Sequence, residues 1–168
     1  MNHKILGLFS LLILSAVAYA QTGMDSTTAA SPVKTLTLKQ YNTYLNGPDL
    51  SALALPATMN DYPMPDRVLK LQRELKLTAA QVDKVKGINS YLQLKKTEIG
   101  QSIIRNEKAL DRLFSTHKVD DGNIIFFATQ SGSYQGEYRT AVLSACYNTY
   151  KVLTPVQLST LRGLKNHN

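Results

Sequence analysis

The sequence holds a single cysteine, Cys146, and no tryptophan. One thiol cannot close an intramolecular disulfide, so packing and hydrogen bonds alone must hold the fold. Histidine is scarce as well. His3 lies in the first twenty residues, His117 falls at an expected helix end and His167 is in the C-terminal tail. No HxxxH or CxxC spacing occurs, and Met24, Met59 and Met64 are scattered through the N-terminal part. A metal centre needs several converging ligands, so none is expected. GxSxG, a phosphate-cradling glycine loop and a carboxylate pair are all missing. Neither a catalytic set nor a cofactor is therefore expected, and the chain does not read as an enzyme. No stretch gives a convincing run of alternating strand residues, and no internal repeat exceeds five residues, which argues against a solenoid.

A length of 168 residues is enough for one domain with a real core. Residues 1–20 read as a secretory signal: Lys4 is the basic start, Ile5 to Val17 the apolar run, and Ala18-Tyr19-Ala20 a small-x-small cleavage site. The run is short for a bilayer span, which wants ~20 residues. Cleavage after Ala20 leaves 18 Lys and Arg against 12 Asp and Glu. Residues 21–65 read as a flexible N-terminal extension. Residues 21–35 lack apolar periodicity. Thr37 to Asn46 forms a short helix closed by Gly47-Pro48. Residues 48–65, with Pro48, Pro56, Pro63 and Pro65, read as extended linker.

Residues 66–168 form the expected helical domain, organised by Leu77-Thr78-x-x-Gln81 and its recurrence Leu153-Thr154-x-x-Gln157. Thr at an N-cap accepts from the backbone N–H three residues on, and Gln there reaches back to the N–H of the cap, closing a capping box. The Leu before each cap should staple to Val82 or Leu158, and Pro155 stands at the first helical position, where a missing N–H costs nothing. Leu36-Thr37-Leu38-Lys39-Gln40 is a weaker third copy.

Asp66 is expected to cap a helix of about ten residues before the first motif. Apolar residues from Val82 to Phe114 then recur at helical spacing and predict a helix from Ala79 to about His117. At 1.5 Å per residue its ~39 residues span ~58 Å, so a second long helix should lie antiparallel to it. Val119-Asp120-Asp121-Gly122 supplies its cap, and it should run to Leu153, followed by a short helix from Pro155 to about Leu164. Gly132 and Gly136 inside it read as tolerated, or as a bend or a close helix contact. Cys146 reads as a buried thiol, with an intersubunit disulfide as the sharper alternative. The fold class is thus all-α: a long antiparallel helical hairpin flanked by two short helices. Ile124-Ile125-Phe126-Phe127 cannot all face one side of a helix. With Tyr134 and Tyr138 it should stay partly uncovered in a monomer, so a two-fold homodimer is expected.

Charge is concentrated. Residues 66–118 carry 12 Lys and Arg against 6 Asp and Glu. A basic helical face in an exported protein attracts acidic partners, such as unfolded acidic segments or an acidic sensor domain. Export argues against nucleic acid. Lys84, Lys95 and Arg105 are the candidate client-binding residues.

The paired motif, on Leu77, Thr78, Gln81, Leu153, Thr154 and Gln157, resembles the LTxxQ family of periplasmic proteins: the Spy and CpxP chaperone-like proteins and the related heavy-metal sensors. The resemblance covers residues 66–164, and the extension 21–65 has no counterpart in it. It implies a curved antiparallel homodimer of helical hairpins, located in the periplasm. It also implies an ATP-independent chaperone or envelope-stress adaptor whose basic, partly apolar face holds unfolded clients. A sensor kinase domain is a further partner implied by the CpxP branch. The alternative is a heavy-metal-responsive sensor or metal buffer, although that branch carries His, Met and Glu ligands that this sequence mostly lacks.

Overall fold

A computed structural model describes residues 30–47 and 51–165. The expected signal segment with its cleavage site after Ala20, Met24, Pro48 and His167 lie outside the described residues. Within them the chain is all-helical, without strands: α1 (Leu38–Asn46), α2 (Ser51–Thr58), α3 (Pro65–Lys70), α4 (Ala79–Ser115), α5 (Asp121–Val152) and α6 (Pro155–Lys165). Among these residues no helix is long and apolar enough to cross a membrane.

The two long helices share the main core. Leu92, Ile99 and Ile103 of α4 bury against Tyr138, Val142, Ala145 and Cys146 of α5. Polar groups in this seam are satisfied. The Tyr138 hydroxyl donates to the Lys96 carbonyl at 3.0 Å, and the Asn106 amide donates to the Phe127 carbonyl at 3.2 Å. A second cluster lies beneath the paired motif and joins Val68, Leu75, Val85, Leu153, Leu158 and Leu161. Leu153 and Leu158, the expected staple pair of the second motif, both belong to it.

The N-terminal segment departs from expectation. In place of an extended linker, Ser51–Thr58 is helical around Pro56, with Ala54 fully buried in the main core. A proline inside a helix removes one hydrogen bond and crowds the preceding turn. Burial of Ala54 with Leu53 against α5 offsets that cost over this short helix. Val33 and Leu36, expected in or beside a flexible arm, bury with Ile104 of α4. Helix α1 then packs on α4, where Gly100 meets the Tyr44 backbone so closely that a Cβ would overlap the Tyr44 carbonyl. Gly47, with φ 84°, closes α1 as its glycine-proline signal predicts. By contrast, a Cβ at Gly132 or Gly136 would meet nothing within 4 Å, so no close contact among the described residues explains them.

Three further expectations are corrected. Asp66 is not the cap of α3: Met64 occupies that position without a side-chain bond, Pro65 starts the helix and Asp66 sits in its first turn. Regular helix there lasts only six residues, followed by turns to Lys76. Tyr138 is buried at 2% exposure rather than left uncovered. Ile124, Ile125 and Phe126 are exposed, as their spacing requires.

Helix α4 stops at Ser115 because His117 takes a left-handed conformation at φ 53°. The His117 N–H then donates to the Phe114 carbonyl and the Lys118 N–H to that of Leu113. This is a Schellman closure built without glycine. Lys76, at φ 48°, closes the turn before the first motif in the same way, with bonds from Lys76 to Arg73 and from Leu77 to Gln72.

Candidate functional site

All three copies of the motif are complete capping boxes. Thr37, Thr78 and Thr154 accept from the N–H of Gln40, Gln81 and Gln157, and each Gln Oε1 accepts from the N–H of its own cap. The copy at Thr37 is therefore no weaker locally than the other two.

The second and third boxes do more than cap. Their glutamines meet across 76 residues of sequence. Gln81 Nε2 donates to Gln157 Oε1 at 2.9 Å, and Gln157 Nε2 donates to Gln81 Oε1 at 3.0 Å. The remaining amide hydrogens go to backbone carbonyls, from Gln81 to Val152 at 2.9 Å and from Gln157 to Leu75 at 3.2 Å. Each side-chain amide thus fills both acceptor and both donor positions. The carbonyls of Val152 and Leu75 stand where chain segments end, where the helix ladder provides no partner. One clasp consequently fixes the start of α4, the end of α5, the start of α6 and the turn before α4.

Beside the clasp an open groove runs along the α4–α5 seam. Thr78, Gln81, Lys84 and Ile88 line its first part, with Asn148 and Lys151 across from them. Lys84, Ile88 and Asn148 also line its continuation, which reaches Tyr91, Ala141 and Ser144. Tyr91 is 61% exposed and lines this continuation together with Lys84. Lys84 and Lys151 make no ion pair among the described residues.

Of the three basic residues singled out by sequence, Lys84 therefore lies in the groove itself. Lys95 continues the same row, its ammonium 5.8 Å from the Tyr91 ring centre, and it is bonded to Glu98 at 2.7 Å. That bond, with the charge of Glu98, raises the Lys95 pKa above its ordinary value. Arg105 lies farther along α4, exposed, donating to the Ser102 hydroxyl at 2.9 Å. Residues 84, 95 and 105 fall within about 80° of one another around an ideal helix, but only the first borders the groove described here. Charge concentration does not point to Lys151, because it belongs to α5 and reaches the groove only once the two helices pack. Its sequence signal is Tyr147 one turn earlier, over which its ammonium stands at 4.5 Å.

Cys146 is fully buried, its Sγ 3.4 Å from Met64 Sδ, and burial pushes the thiol up to about 11. A thiol so enclosed cannot reach a second copy without opening the core, which opposes the intersubunit disulfide. His117 is exposed and serves as the helix stop. Among the described residues no group of three or more His, Cys, Asp and Glu side chains converges.

No family model, curated protein or solved structure matches this chain.

Proposed function

We propose that the protein is an exported, periplasmic chaperone or stress adaptor of the LTxxQ kind, holding unfolded segments without ATP. One observation carries this reading: an open groove, basic at Lys84 and Lys151 and apolar at Ile88 and Tyr91, is anchored at one end by the paired motif. Long-range attraction would bring acidic unfolded chains to it, and the apolar side chains would then hold them. Holding must be weak enough to reverse, because no nucleotide motif is present to drive release.

In this reading α4 and α5 form an antiparallel hairpin. Support comes from the bonded pairs 81 with 152, 96 with 138 and 106 with 127, whose numbers rise on one helix as they fall on the other. Two hairpins pair as a curved dimer, for which exposed Phe114, Ile124, Ile125 and Phe126 supply uncovered apolar surface. A sensor kinase domain would compete for the same basic face.

Light scattering of a denatured, acidic client tests the function. Mature protein should suppress aggregation without ATP. Salt should slow capture, since the Debye length shortens from ~10 Å at 0.1 M to ~3 Å at 1 M. Lys84→Glu with Lys151→Glu should weaken capture more than Lys95→Glu, because Lys95 is already paired with Glu98. Equal aggregation with and without the protein, together with a micromolar metal site lost in His117→Ala, would replace this reading with a metal sensor.

A further inference from the structure

The face that carries the groove opens again near the other end of the α4–α5 seam. There a second hollow is lined by Lys108, Arg112 and Lys118, with Leu113 and Phe127 as its apolar part. Its register matches the groove. Ala109 lines it from α4, eighteen residues beyond Tyr91 of the groove. On α5, Asn123 and Phe127 stand eighteen residues before Ala141 and Ala145, which line the groove. Eighteen residues are five whole helical turns, which restore the same orientation, so one seam opens twice on one face.

The second hollow repeats the chemistry of the first. Lys108, Arg112 and Lys118 meet no carboxylate within ion-pair distance among the described residues. Glu107 and Asp111 point about 120° or more away round α4 from Ala109 and Leu113, and Asp121 about 160° round α5 from Asn123. Glu107 accepts from the Thr35 hydroxyl, and Asp120 accepts from the Asn123 N–H at 2.7 Å. The stretch between the two hollows differs. Lys95, Glu98 and Arg105 of α4 and Glu137 of α5 lie within about 40° of the same face. Lys95 is bonded to Glu98 at 2.7 Å, and Glu137 also acts on its charge. The cations of this stretch are thus matched by acids, and the face is basic at both ends and balanced between them.

We propose that this face selects one extended polypeptide with two acidic segments, one on Lys84 and Lys151 and the other on Lys108, Arg112 and Lys118, joined by an uncharged stretch. This assignment rests on the reading of the groove as a client site and adds the class of client that it prefers. Along α4, Lys84 and Lys108 stand ~36 Å apart at 1.5 Å per residue. An extended chain covers ~3.3 Å per residue, so the acidic segments must lie about eleven or more residues apart. Once one segment is bound, the second contact is intramolecular, whereas segments set closer together reach only one hollow at a time. Acidic residues in the joining stretch gain nothing, since Lys95 is already paired.

The test is fluorescence anisotropy of three labelled peptides of equal length with the mature protein. The first carries Glu-Asp-Glu on both sides of a stretch of twelve Ser, Ala and Leu residues. The second carries the same two clusters four residues apart, and the third carries one cluster. The first should bind about tenfold or more tightly than the other two, since linkage multiplies affinity only when the span fits. Lys108→Gln with Arg112→Gln should bring the first peptide down to the level of the third, and so should Lys84→Gln with Lys151→Gln. All four side chains are exposed, so circular dichroism should show unchanged helicity. Equal affinity for the first and third peptides overturns the proposal, and so does a tight first peptide that is indifferent to the loss of Lys108 and Arg112. Either result leaves the groove reading standing if the third peptide binds and weakens in the Lys84 and Lys151 variant. Lack of saturable binding by every peptide overturns both. Phosphatidylglycerol vesicles bound through both hollows, with no preference among the peptides, would assign the face to a membrane surface instead.

Discussion

Gln81 and Gln157 carry more of this fold than the threonines they accompany. Thr78→Ala removes a cap oxygen, a loss of about 0.5–2 kcal/mol. Gln81→Ala also strips the Gln157 amide of its partner and leaves the Val152 carbonyl unpaired, so the expected loss is larger, about 2–3 kcal/mol. Gln157→Ala should behave alike, and the double variant should cost less than the sum, because both singles destroy the same pair. Urea melts giving strictly additive losses would mean that the two amides do not meet in solution. Each cap was legible in five residues of sequence, since a capping box is local. The clasp was not legible, because nothing in either pentapeptide specifies contact with the other. Cys146 adds a pH dependence. Its folded pKa is raised, so the folded state keeps the proton longer than the unfolded chain. The stability it contributes is whole below the ordinary value of 9.0 and is lost as pH rises towards about 11. Melts of Cys146→Ala should lack that part of the alkaline decline, and an unchanged decline would contradict it.

Elements with local signals are legible in the sequence, and those fixed by tertiary packing are not. The long helices start where their caps predict, at Ala79 and Asp121. Asp120 accepts from the Asn123 N–H at 2.7 Å, and this bond lowers its pKa. Helix α2 is hidden in the sequence because Pro56 argues against a helix, while the force favouring it, burial of Ala54, acts from α5. Helix α4 ends two residues before the expected His117 because its left-handed stop is His117 and not glycine. That choice is strained, since a left-handed residue other than glycine costs about 1–2 kcal/mol. His117→Gly should therefore stabilise the protein, by up to about 1 kcal/mol after the added backbone entropy of glycine. A lowered midpoint in urea would count against the strain. Gly100 gives the opposite case. Gly100→Ala places a Cβ on the Tyr44 carbonyl and should cost about 1–3 kcal/mol, the scale of overpacking. Because the collision lies under α1, limited proteolysis should show residues 30–47 released before the long helices open. Unchanged protection would mean that α1 sits elsewhere in solution.

At the scale of the whole molecule, the paired motifs stand at one end of the groove between α4 and α5. The clasp ties the end of α5 to the start of α4, and Lys84 and Lys151 both line the groove beside it. The basic excess of residues 66–118 is visible from composition, but which cations border the groove is not. Lys95 is occupied by Glu98, whereas Lys151 comes from a stretch with little net charge. The extension before Pro65 likewise proves part of the body, since α1 packs on α4 and α2 on α5. Site-specific photo-crosslinking to a denatured client tests the central claim most directly. The crosslinking residue would replace Lys84, Asn148 or, as a control, Ser90, which is exposed and points about 240° round α4 from Lys84. Groove capture predicts client adducts from positions 84 and 148, reduced at high salt, and few from position 90. Equal yields at all three positions, or none at 84 and 148 while aggregation is still suppressed, would contradict it.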